Sequence, residues 1–287
     1  MSKVTVAAIQ MTYGLEQAVE RVRQAAAQGA QIILLPELFE HWYFCQEKRY
    51  DNYQLATTLE ENAAVAALRS VARELRVVLP VSYYERVGDT TFNTVAIIDA
   101  DGTVLGQYRK THIPDDQLYQ EKFYFTPGDT GFRVWDTAYA KIGVGICWDQ
   151  WFPESARCMA LLGAEVLFYP TAIGSEPILD CDSMPHWRRC MQGHAAANLM
   201  PLVAANRIGT ETVTPTEDNL QQSSALTFYG SSFIADETGA LVEQAGRTDS
   251  AILTHTFDLD EIRALRRSWG VFRDRRPEMY GALGRHG

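Results

Sequence analysis

The sequence lacks any apolar run long enough to span a bilayer, and it lacks paired cysteine motifs. Its N-terminus also carries no basic leader followed by an apolar stretch. The five cysteines are scattered and contain no CxxC pair, so neither a disulfide framework nor a zinc site is predicted. We therefore expect a soluble cytoplasmic protein with reduced thiols and no membrane partner.

Basic residues are fewer than acidic ones, and several ligand-binding motifs are missing. With 26 Lys and Arg against 36 Asp and Glu, the formal charge of −10 disfavours binding to nucleic acid and to anionic membrane surfaces. The chain has no GxxxxGK(S/T) loop, no GxSxG elbow and no HExxH arrangement. GVGIC supplies two glycines of a dinucleotide-binding fingerprint, but Trp148 stands at the third position. These absences predict a small neutral or cationic ligand, and neither a metal nor a cofactor.

Two strand–helix–strand units are recognisable, one in each half of the chain. In the first, a strand over 4–9 precedes a helical stripe in LEQAVERVRQAAAQ and the apolar strand QIILLP. In the second, KIGVGIC and AEVLFYP are strands on either side of the helix PESARCMALLG. Right-handed crossovers make the strands within each unit parallel, so their carboxyl ends share the edge at which α/β proteins bind ligands.

The rest of the chain predicts antiparallel strands and two more helices. VVLPVSYYER and FNTVAIIDADGTVLGQYRK alternate as antiparallel strands do, and SSFIADETGALVEQ is a further hairpin. We expect helices over 185–199 and in DLDEIRALRRSW, a strand in PLVAAN and a loop over 209–224. Because no compositional break divides the chain, we predict one α/β domain over 1–287 in which helices cover the faces of sheets.

Cys147 stands where the strand KIGVGIC meets a polar turn before a helix. A thiol at a helix N-terminus has its thiolate stabilised by the helix dipole and by free backbone N–H groups. This location predicts a thiol pKa that is lowered toward neutrality, and therefore a usable nucleophile. The alternative is a buried structural cysteine, and the position alone does not decide between the two.

Glu37 and Lys110 also follow predicted strands. The carboxylate of Glu37 could take the thiol proton and later deliver it to a leaving amine. The ammonium of Lys110 could stabilise both the thiolate and the oxyanion of a tetrahedral intermediate. Taken singly, an acid after a strand is more often a helix cap or a surface charge, and a lysine there is more often a surface residue.

Together, LLPE, YRK and GICWD resemble the motifs of the nitrilase superfamily of carbon–nitrogen hydrolases, and RKTHIPDD, TPGDTGF and YGSSFIAD extend the resemblance over most of the chain. The resemblance implies a four-layer α–β–β–α sandwich. It also implies that Glu37, Lys110 and Cys147 are the catalytic glutamate, lysine and cysteine. A second glutamate of the superfamily corresponds to Glu121, which would position the lysine and the substrate.

Within the superfamily, the sequence is most similar to the branch that hydrolyses N-carbamoylputrescine, through EHWYFCQ, HIPDDQLYQEKFYF, CWDQWFPE and YPTAIGSEP. This resemblance implies a cationic urea as substrate, with putrescine, ammonia and carbon dioxide as products in polyamine synthesis from agmatine. Glu176, together with Ser175, would bind the terminal ammonium. Tyr43 and Trp148 would form walls along the methylene chain. The resemblance further implies a homo-oligomer, with a C-terminal extension from about residue 270 at the subunit interface.

Two other functions stay open at this point. A related amidase or carbamoyl-amino-acid hydrolase would act on a substrate that bears a carboxylate, and such a substrate should require an arginine where Glu176 stands. A noncatalytic binding or scaffold homologue would keep the fold without the chemistry. The presence of all three reacting residue types argues against the scaffold.

Overall fold

The computed structural model describes residues 2–175 and 181–285. The strands within these ranges are β1 (Lys3–Gln10), β2 (Ile32–Leu34), β3 (Leu79–Val87), β4 (Thr90–Ile98), β5 (Val104–Arg109), β6 (Val134–Asp136), β7 (Lys141–Val144), β8 (Val166–Pro170), β9 (Leu202–Ala205), β10 (Ile208–Val213), β11 (Ser224–Tyr229), β12 (Phe233–Ala235), β13 (Leu241–Gln244) and β14 (Ala251–Asp258). The α-helices are α1 (Leu15–Ala27), α2 (Ala63–Leu75), α3 (Glu121–Tyr124), α4 (Pro153–Leu161), α5 (Met184–Asn198) and α6 (Leu259–Trp269). The 3₁₀-helices are Phe44–Gln46, Tyr50–Leu55, Cys147–Trp151, Pro277–Met279 and Gly281–Gly284.

The first half of the chain, together with β14 from near its end, builds two linked three-stranded sheets. In one, β1 lies between β14, with which it is antiparallel, and β2, with which it is parallel. In the other, β3, β4 and β5 form an antiparallel meander. A parallel bridge between Ile32 and Val78 connects the two sheets. These two three-stranded sheets therefore form one side of the molecule.

The second half of the chain builds a six-stranded sheet in the order β13-β12-β9-β8-β7-β6. Its central strands β7, β8 and β9 are parallel to one another. As β1 and β2 are also parallel, both predicted strand–helix–strand units have the strand direction expected from their sequence.

Helix α2 shows why the helices cover the sheets. Its side chains Val65, Leu68 and Val71 lie on one face and are buried, which follows from apolar residues spaced at three and four positions. Asn62 precedes the helix, and its side-chain oxygen accepts the Val65 backbone N–H, so one of the otherwise unpaired donors of the first turn is satisfied. Burial of a leucine such as Leu68 contributes about 2 kcal/mol to the free energy of folding.

The sheets face each other across one apolar core, and the helices cover their outer faces. Val6 of β1 and Phe168 of β8 belong to the same buried cluster, which lies between the sheets. Leu68 of α2 packs on the outer face of the first side, and Met191 of α5 packs on the outer face of the six-stranded sheet. The layers are therefore helix, sheet, sheet and helix, which confirms the predicted α–β–β–α sandwich.

The predicted loop over 209–224 is only partly a loop. Its first residues belong to β10, which pairs antiparallel with β11 from Ile208 opposite Tyr229 to Val213 opposite Ser224. Because Gly209, Thr210 and most of the following side chains are exposed or half-buried, the segment has no apolar stripe that would mark it as a strand. Its regular structure depends on backbone pairing with a strand more than ten residues away.

Within residues 2–175 and 181–285, no helix combines the length and the apolar character needed to cross a membrane. The cysteines in the same ranges are free thiols, and Cys158 and Cys181 are exposed while Cys45 and Cys147 are buried.

Candidate active site

Each of the three predicted reacting residues lies just beyond the end of a strand. Glu37 comes shortly after β2, Lys110 directly follows β5, and Cys147 comes after β7. The side chains of Glu37 and Lys110 are fully buried, and Cys147 is 5% exposed. Packing of the sheets brings these strand ends to one place in the molecule, where the charges of Glu37 and Lys110 both act on the Cys147 thiol.

Lys110 lies between two carboxylates. Its Nζ donates hydrogen bonds to Glu37 Oε1 at 2.9 Å and to Glu121 Oε2 at 2.6 Å. Burial alone would lower the pKa of Lys110, but the charges of Glu121 and Glu37 outweigh this effect and raise the pKa well above its usual value. Lys110 is therefore a charged ammonium in a site from which water is largely excluded.

Glu37 has one carboxylate oxygen engaged and one free. Oε1 accepts hydrogen bonds from Lys110 Nζ and from Asn93 Nδ2, which lies 2.6 Å away. Oε2 is buried and has no hydrogen-bond partner among the described residues. A buried acceptor without a partner is costly, so this oxygen is available for a proton or a ligand donor.

Glu121 fixes the other side of Lys110. Its Oε1 accepts the Tyr43 hydroxyl at 2.6 Å, while Oε2 accepts the Lys110 ammonium. Burial, opposed by Lys110 and reinforced by the charge of Glu37, raises the pKa of Glu121 to about 7. The tyrosine itself is fully buried and is not among the described residues that line the adjacent cavity. Tyr43 therefore lies behind Glu121, whereas the sequence predicted that Tyr43 would form a wall of the cavity.

The surroundings of the Cys147 thiol, and the direction of its pKa shift, differ from the prediction. It begins the 3₁₀-helix Cys147–Trp151, and the α-helix α4 starts only at Pro153, so the thiol does not lie at the N-terminus of an α-helix. Burial, together with the nearby Glu37 carboxylate, raises the pKa of the Cys147 thiol well above its usual value, although Lys110 acts in the opposite direction. The expectation of a lowered pKa is therefore corrected: the thiol is protonated at neutral pH and needs a base.

Asp149 ties the segment around Lys110 to the turn that carries Cys147. Its Oδ2 accepts the Tyr108 hydroxyl at 2.8 Å and the Ile146 backbone N–H at 2.9 Å. Its Oδ1 accepts the His112 backbone N–H at 3.0 Å and lies 2.7 Å from His112 Nδ1. Cys147 itself has a φ of 40°, a left-handed conformation that is uncommon outside glycine. Asp149 therefore holds a strained turn against the strand end that presents Lys110.

Gly128 allows a loop to approach the same strand end closely. Its backbone N–H donates to the Lys110 carbonyl at 2.8 Å. A Cβ atom at this position would lie 2.1 Å from the Arg109 carbonyl oxygen, so any larger residue would push the loop away. The glycine of TPGD is thus required by packing against Lys110.

A cavity of about 580 Å³ adjoins the buried cluster. Cys147 and Glu121 both line it, so the thiol is reachable from the cavity. The cavity is lined by Pro114, Asp115, Asp116, Tyr119, Glu121, Cys147, Trp148, Trp151, Ile173, Cys181, Asp182, Ser183 and His186. Among the described lining residues there are four carboxylates and neither lysine nor arginine, which favours a ligand with a positive charge. Glu121 is paired with Lys110 and Asp182 with Arg247, both at 2.6 Å, so Asp115 and Asp116 are the carboxylates left for a ligand.

The remaining predicted substrate-binding residues have different positions. Trp148 lines the cavity and is 38% exposed. Ser175 pairs with Thr227, since its backbone N–H donates to the Thr227 carbonyl at 2.8 Å and its Oγ accepts the Thr227 N–H at 3.2 Å. Glu176 lies outside the described residues. In residues 2–175 and 181–285, no group of His, Cys, Asp and Glu side chains has an arrangement that could hold a metal ion.

Sequence reasoning missed Asn93, Asp149 and Arg207. Asn93 is a polar residue within the apolar strand FNTVAII, and its burial could have been suspected from that pattern. Asp149 and Arg207 lie in polar segments, where a charged residue carries no local signal of burial. Only their hydrogen bonds to distant parts of the chain identify them.

Comparison with known proteins gives consistent matches along the chain. Residues 5–267 match the family model described as carbon-nitrogen hydrolase. N-carbamoylputrescine amidase from Oryza sativa subsp. japonica is 55% identical over 289 residues, which cover 98% of this chain and 95% of that protein. Citrullinase from Francisella tularensis subsp. tularensis is 50% identical over 290 residues, which cover 99% of each protein. The crystal structure of a carbon-nitrogen hydrolase from Helicobacter pylori G27 superposes with a TM-score of 0.90 at 35% identity and 99% coverage of both chains.

Proposed function

Since the chain belongs to the carbon–nitrogen hydrolase family of the nitrilase superfamily, we propose that it hydrolyses N-carbamoylputrescine to putrescine, ammonia and carbon dioxide, as a step of polyamine synthesis from agmatine. The observation that carries the proposal is the buried cluster of Glu37, Lys110 and Glu121 beside a thiol that opens into a carboxylate-lined cavity. The same chemistry needs no metal or other cofactor, because the thiol, the acid and the ammonium supply all of its groups.

The first half of the reaction forms a covalent intermediate. Cys147 Sγ attacks the ureido carbon while Glu37 Oε2 takes the thiol proton, which removes the need for a preformed thiolate. The carbonyl oxygen becomes an oxyanion, which the Lys110 ammonium and the Trp148 backbone N–H stabilise. Each such donor contributes about 3 kcal/mol to transition-state stabilisation. Glu121 and Asn93 keep Lys110 and Glu37 in place during this step.

The second half of the reaction releases the enzyme. Glu37 returns its proton to the departing amine as the carbon–nitrogen bond breaks, which leaves a carbamoyl thioester on Cys147. Glu37 then takes a proton from a water molecule, and the resulting nucleophile displaces the thiolate, which recovers its proton. The carbamic acid group that remains decomposes to carbon dioxide and an amine or ammonia, so the two nitrogens leave as putrescine and ammonia.

The charge of the cavity favours a cationic urea over an amino acid. N-carbamoylputrescine carries one terminal ammonium, whereas citrulline carries a carboxylate beside its ammonium. Asp115 and Asp116 attract the first and repel the carboxylate of the second. The 50% identical citrullinase makes citrulline the competing substrate. Ammonia release by the purified protein from N-carbamoylputrescine, citrulline, carbamoyl amino acids and a simple nitrile distinguishes these possibilities, and citrulline as the best substrate would overturn the proposal.

Neutralising the cavity carboxylates should affect the cationic substrate selectively. We expect Asp115→Asn and Asp116→Asn each to raise KM for N-carbamoylputrescine about two- to fivefold, the range of exposed ion pairs, because each removes an attraction for the terminal ammonium. KM for N-butylurea, which has the same ureido group and chain but no charge, should change little. Asp89→Asn, an exposed aspartate outside the cavity, is the matched control. An equal rise in KM for both substrates would contradict an ammonium-binding site at Asp115 and Asp116. The same comparison with Glu176→Gln tests the ammonium ligand that the sequence predicted.

We also propose that the chain is one cytoplasmic domain that forms a homo-oligomer through its C-terminal extension from about residue 270. The exposed apolar side chains of Trp269, Met279 and Leu283, at the end of α6 and beyond it, support this location of the interface. We expect light scattering on the full chain to give a mass above that of a single chain, and truncation after Trp269 to reduce it. A wild-type mass equal to one chain would contradict the interface.

A further inference from the structure

Arg207 is a buried cation outside the cavity that contacts the backbone of the catalytic acid. Its side chain has no exposed surface, and it is not among the described residues that line the cavity. Nε and Nη2 donate to the Glu37 carbonyl oxygen at 3.1 and 3.0 Å, and Nη2 also donates to the Leu38 carbonyl oxygen. A planar guanidinium has the donor geometry for two neighbouring acceptors, whereas an ammonium on a flexible chain does not.

The local backbone shows why such a contact is needed. Leu38 has a φ of 48°, in the left-handed region where its Cβ crowds the neighbouring carbonyl. This turn comes directly after Glu37, so a change in its conformation would shift the backbone that carries the Glu37 side chain. Ser82 Oγ accepts the Leu38 N–H at 2.9 Å, and Arg207 binds the two carbonyls. Strained residues at functional sites persist only when surrounding contacts hold them in this way.

Glu211 connects Arg207 to Glu121, the second carboxylate of the site, by way of Tyr43. Its Oε1 accepts Arg207 Nη1 at 3.2 Å, and its Oε2 accepts the Tyr43 backbone N–H at 2.5 Å. The Tyr43 hydroxyl in turn donates to Glu121 Oε1 at 2.6 Å, and Glu121 binds Lys110. The Arg207–Glu211 pair is thus connected to Glu37 through backbone carbonyls and to Glu121 through Tyr43.

We propose that Arg207 and Glu211 are positioning residues, which hold the Glu37 and Glu121 carboxylates at fixed places on either side of Lys110. Neither side chain touches the substrate. Their effect on the reaction passes through the orientation of Glu37 toward the Cys147 proton, and the inference rests in this respect on the proposed role of Glu37 as proton acceptor. Displacement of a reacting group by about 1 Å can reduce a rate about a hundredfold.

The test compares catalysis, substrate binding and stability in Arg207→Lys and Glu211→Gln. Arg207→Lys keeps the positive charge but loses the planar set of N–H donors. We expect its kcat to fall about 10- to 100-fold while KM changes less than about twofold. Glu211→Gln keeps the shape but weakens one of the two contacts, so its loss of kcat should be smaller. Alkylation of Cys147 by iodoacetamide, followed by peptide mass spectrometry, should slow in parallel, because it depends on proton transfer to Glu37 and not on which amide is the substrate.

Arg263→Lys is the matched control, because Arg263 lies on α6, where its guanidinium pairs with the side chains of Glu165 and Asp260. It should leave kcat and alkylation unchanged. Unchanged kcat and alkylation in both site variants, with only a lower free energy of unfolding, would show a merely structural role and overturn the inference. If Arg207→Lys fails to fold, Glu211→Gln decides alone. If wild type does not hydrolyse N-carbamoylputrescine, the proposed function fails, and the alkylation rates still test the positioning role.

Discussion

Cys147→Ser is expected to lower kcat for N-carbamoylputrescine to below about one thousandth of the wild-type value. The hydroxyl is a weaker nucleophile than the thiol, and its proton is harder for Glu37 to remove. Serine has nearly the same shape, so the left-handed turn at φ 40° and the bonds of Asp149 should persist. Steady-state ammonia release measures the loss. Mass spectrometry of the intact protein during turnover should detect a carbamoyl adduct on wild type and none on the variant.

The control for this prediction is Cys158→Ser, which changes an exposed thiol on α4 in the same way. It should keep wild-type activity and stability, since its thiol is exposed and is not among the described residues that line the cavity. Thermal unfolding of both variants separates a chemical loss from loss of the fold. Substantial turnover by a well-folded Cys147→Ser protein would show that the thiol is not the nucleophile, and the proposed mechanism would then fail.

Lys110→Met should remove activity and also destabilise the protein. The variant leaves the carboxylates of Glu37 and Glu121 buried without the cation that lies 2.9 and 2.6 Å from them. Removing one partner of a buried ion pair typically costs about 3–5 kcal/mol of unfolding free energy, because the remaining charge is uncompensated. Activity should fall at least about a hundredfold through loss of the oxyanion donor. Urea unfolding at pH 8 and ammonia release measure the two effects.

The destabilisation of Lys110→Met should depend on pH in a defined direction. Lys110 lowers the pKa of Glu121, so without it that pKa rises further above about 7, and further above its value in the unfolded chain. A carboxyl whose pKa is raised by folding favours the folded state below the unfolded pKa, and this contribution is lost as pH rises through the folded pKa. The variant should therefore lose more stability relative to wild type at pH 8 than at pH 5.

Lys141→Met is the control, because the half-buried Lys141 side chain forms an ion pair at 3.1 Å with the exposed Asp136. Its unfolding free energy should stay within about 0.5 kcal/mol of wild type at both pH values. A Lys110→Met deficit that is equal at pH 5 and pH 8 would mean that the lysine acts through packing and not through its charge on the two carboxylates.

The individual helices and strands follow from patterns that lie within short stretches of the chain, whereas the four-layer arrangement was implied only by the resemblance to the nitrilase superfamily. The strand QIILLP and the helical stripe before it each indicate their own burial, because a strand buried on both faces is an uninterrupted apolar run and a helix repeats its apolar positions about every 3.6 residues. β10 was missed for the same reason: its side chains are mostly exposed or half-buried, and its pairing with β11 leaves no periodic trace. The strand ends were readable as well, and Glu37, Lys110 and Cys147 each follow one, but their grouping into one site was implied by the family resemblance.

The amino-acid sequence by itself determined that helices cover sheets, since helices and strands have local patterns. Its motifs also identified the family, and through the family the sandwich and the three candidate reacting residues. Only the tertiary structure decided that the Cys147 thiol is protonated, that Tyr43 supports Glu121, and that Arg207 holds the backbone of Glu37. The physical reason is that a pKa and a buried hydrogen bond depend on charges and donors far away in sequence, which meet only when the two sheets pack together.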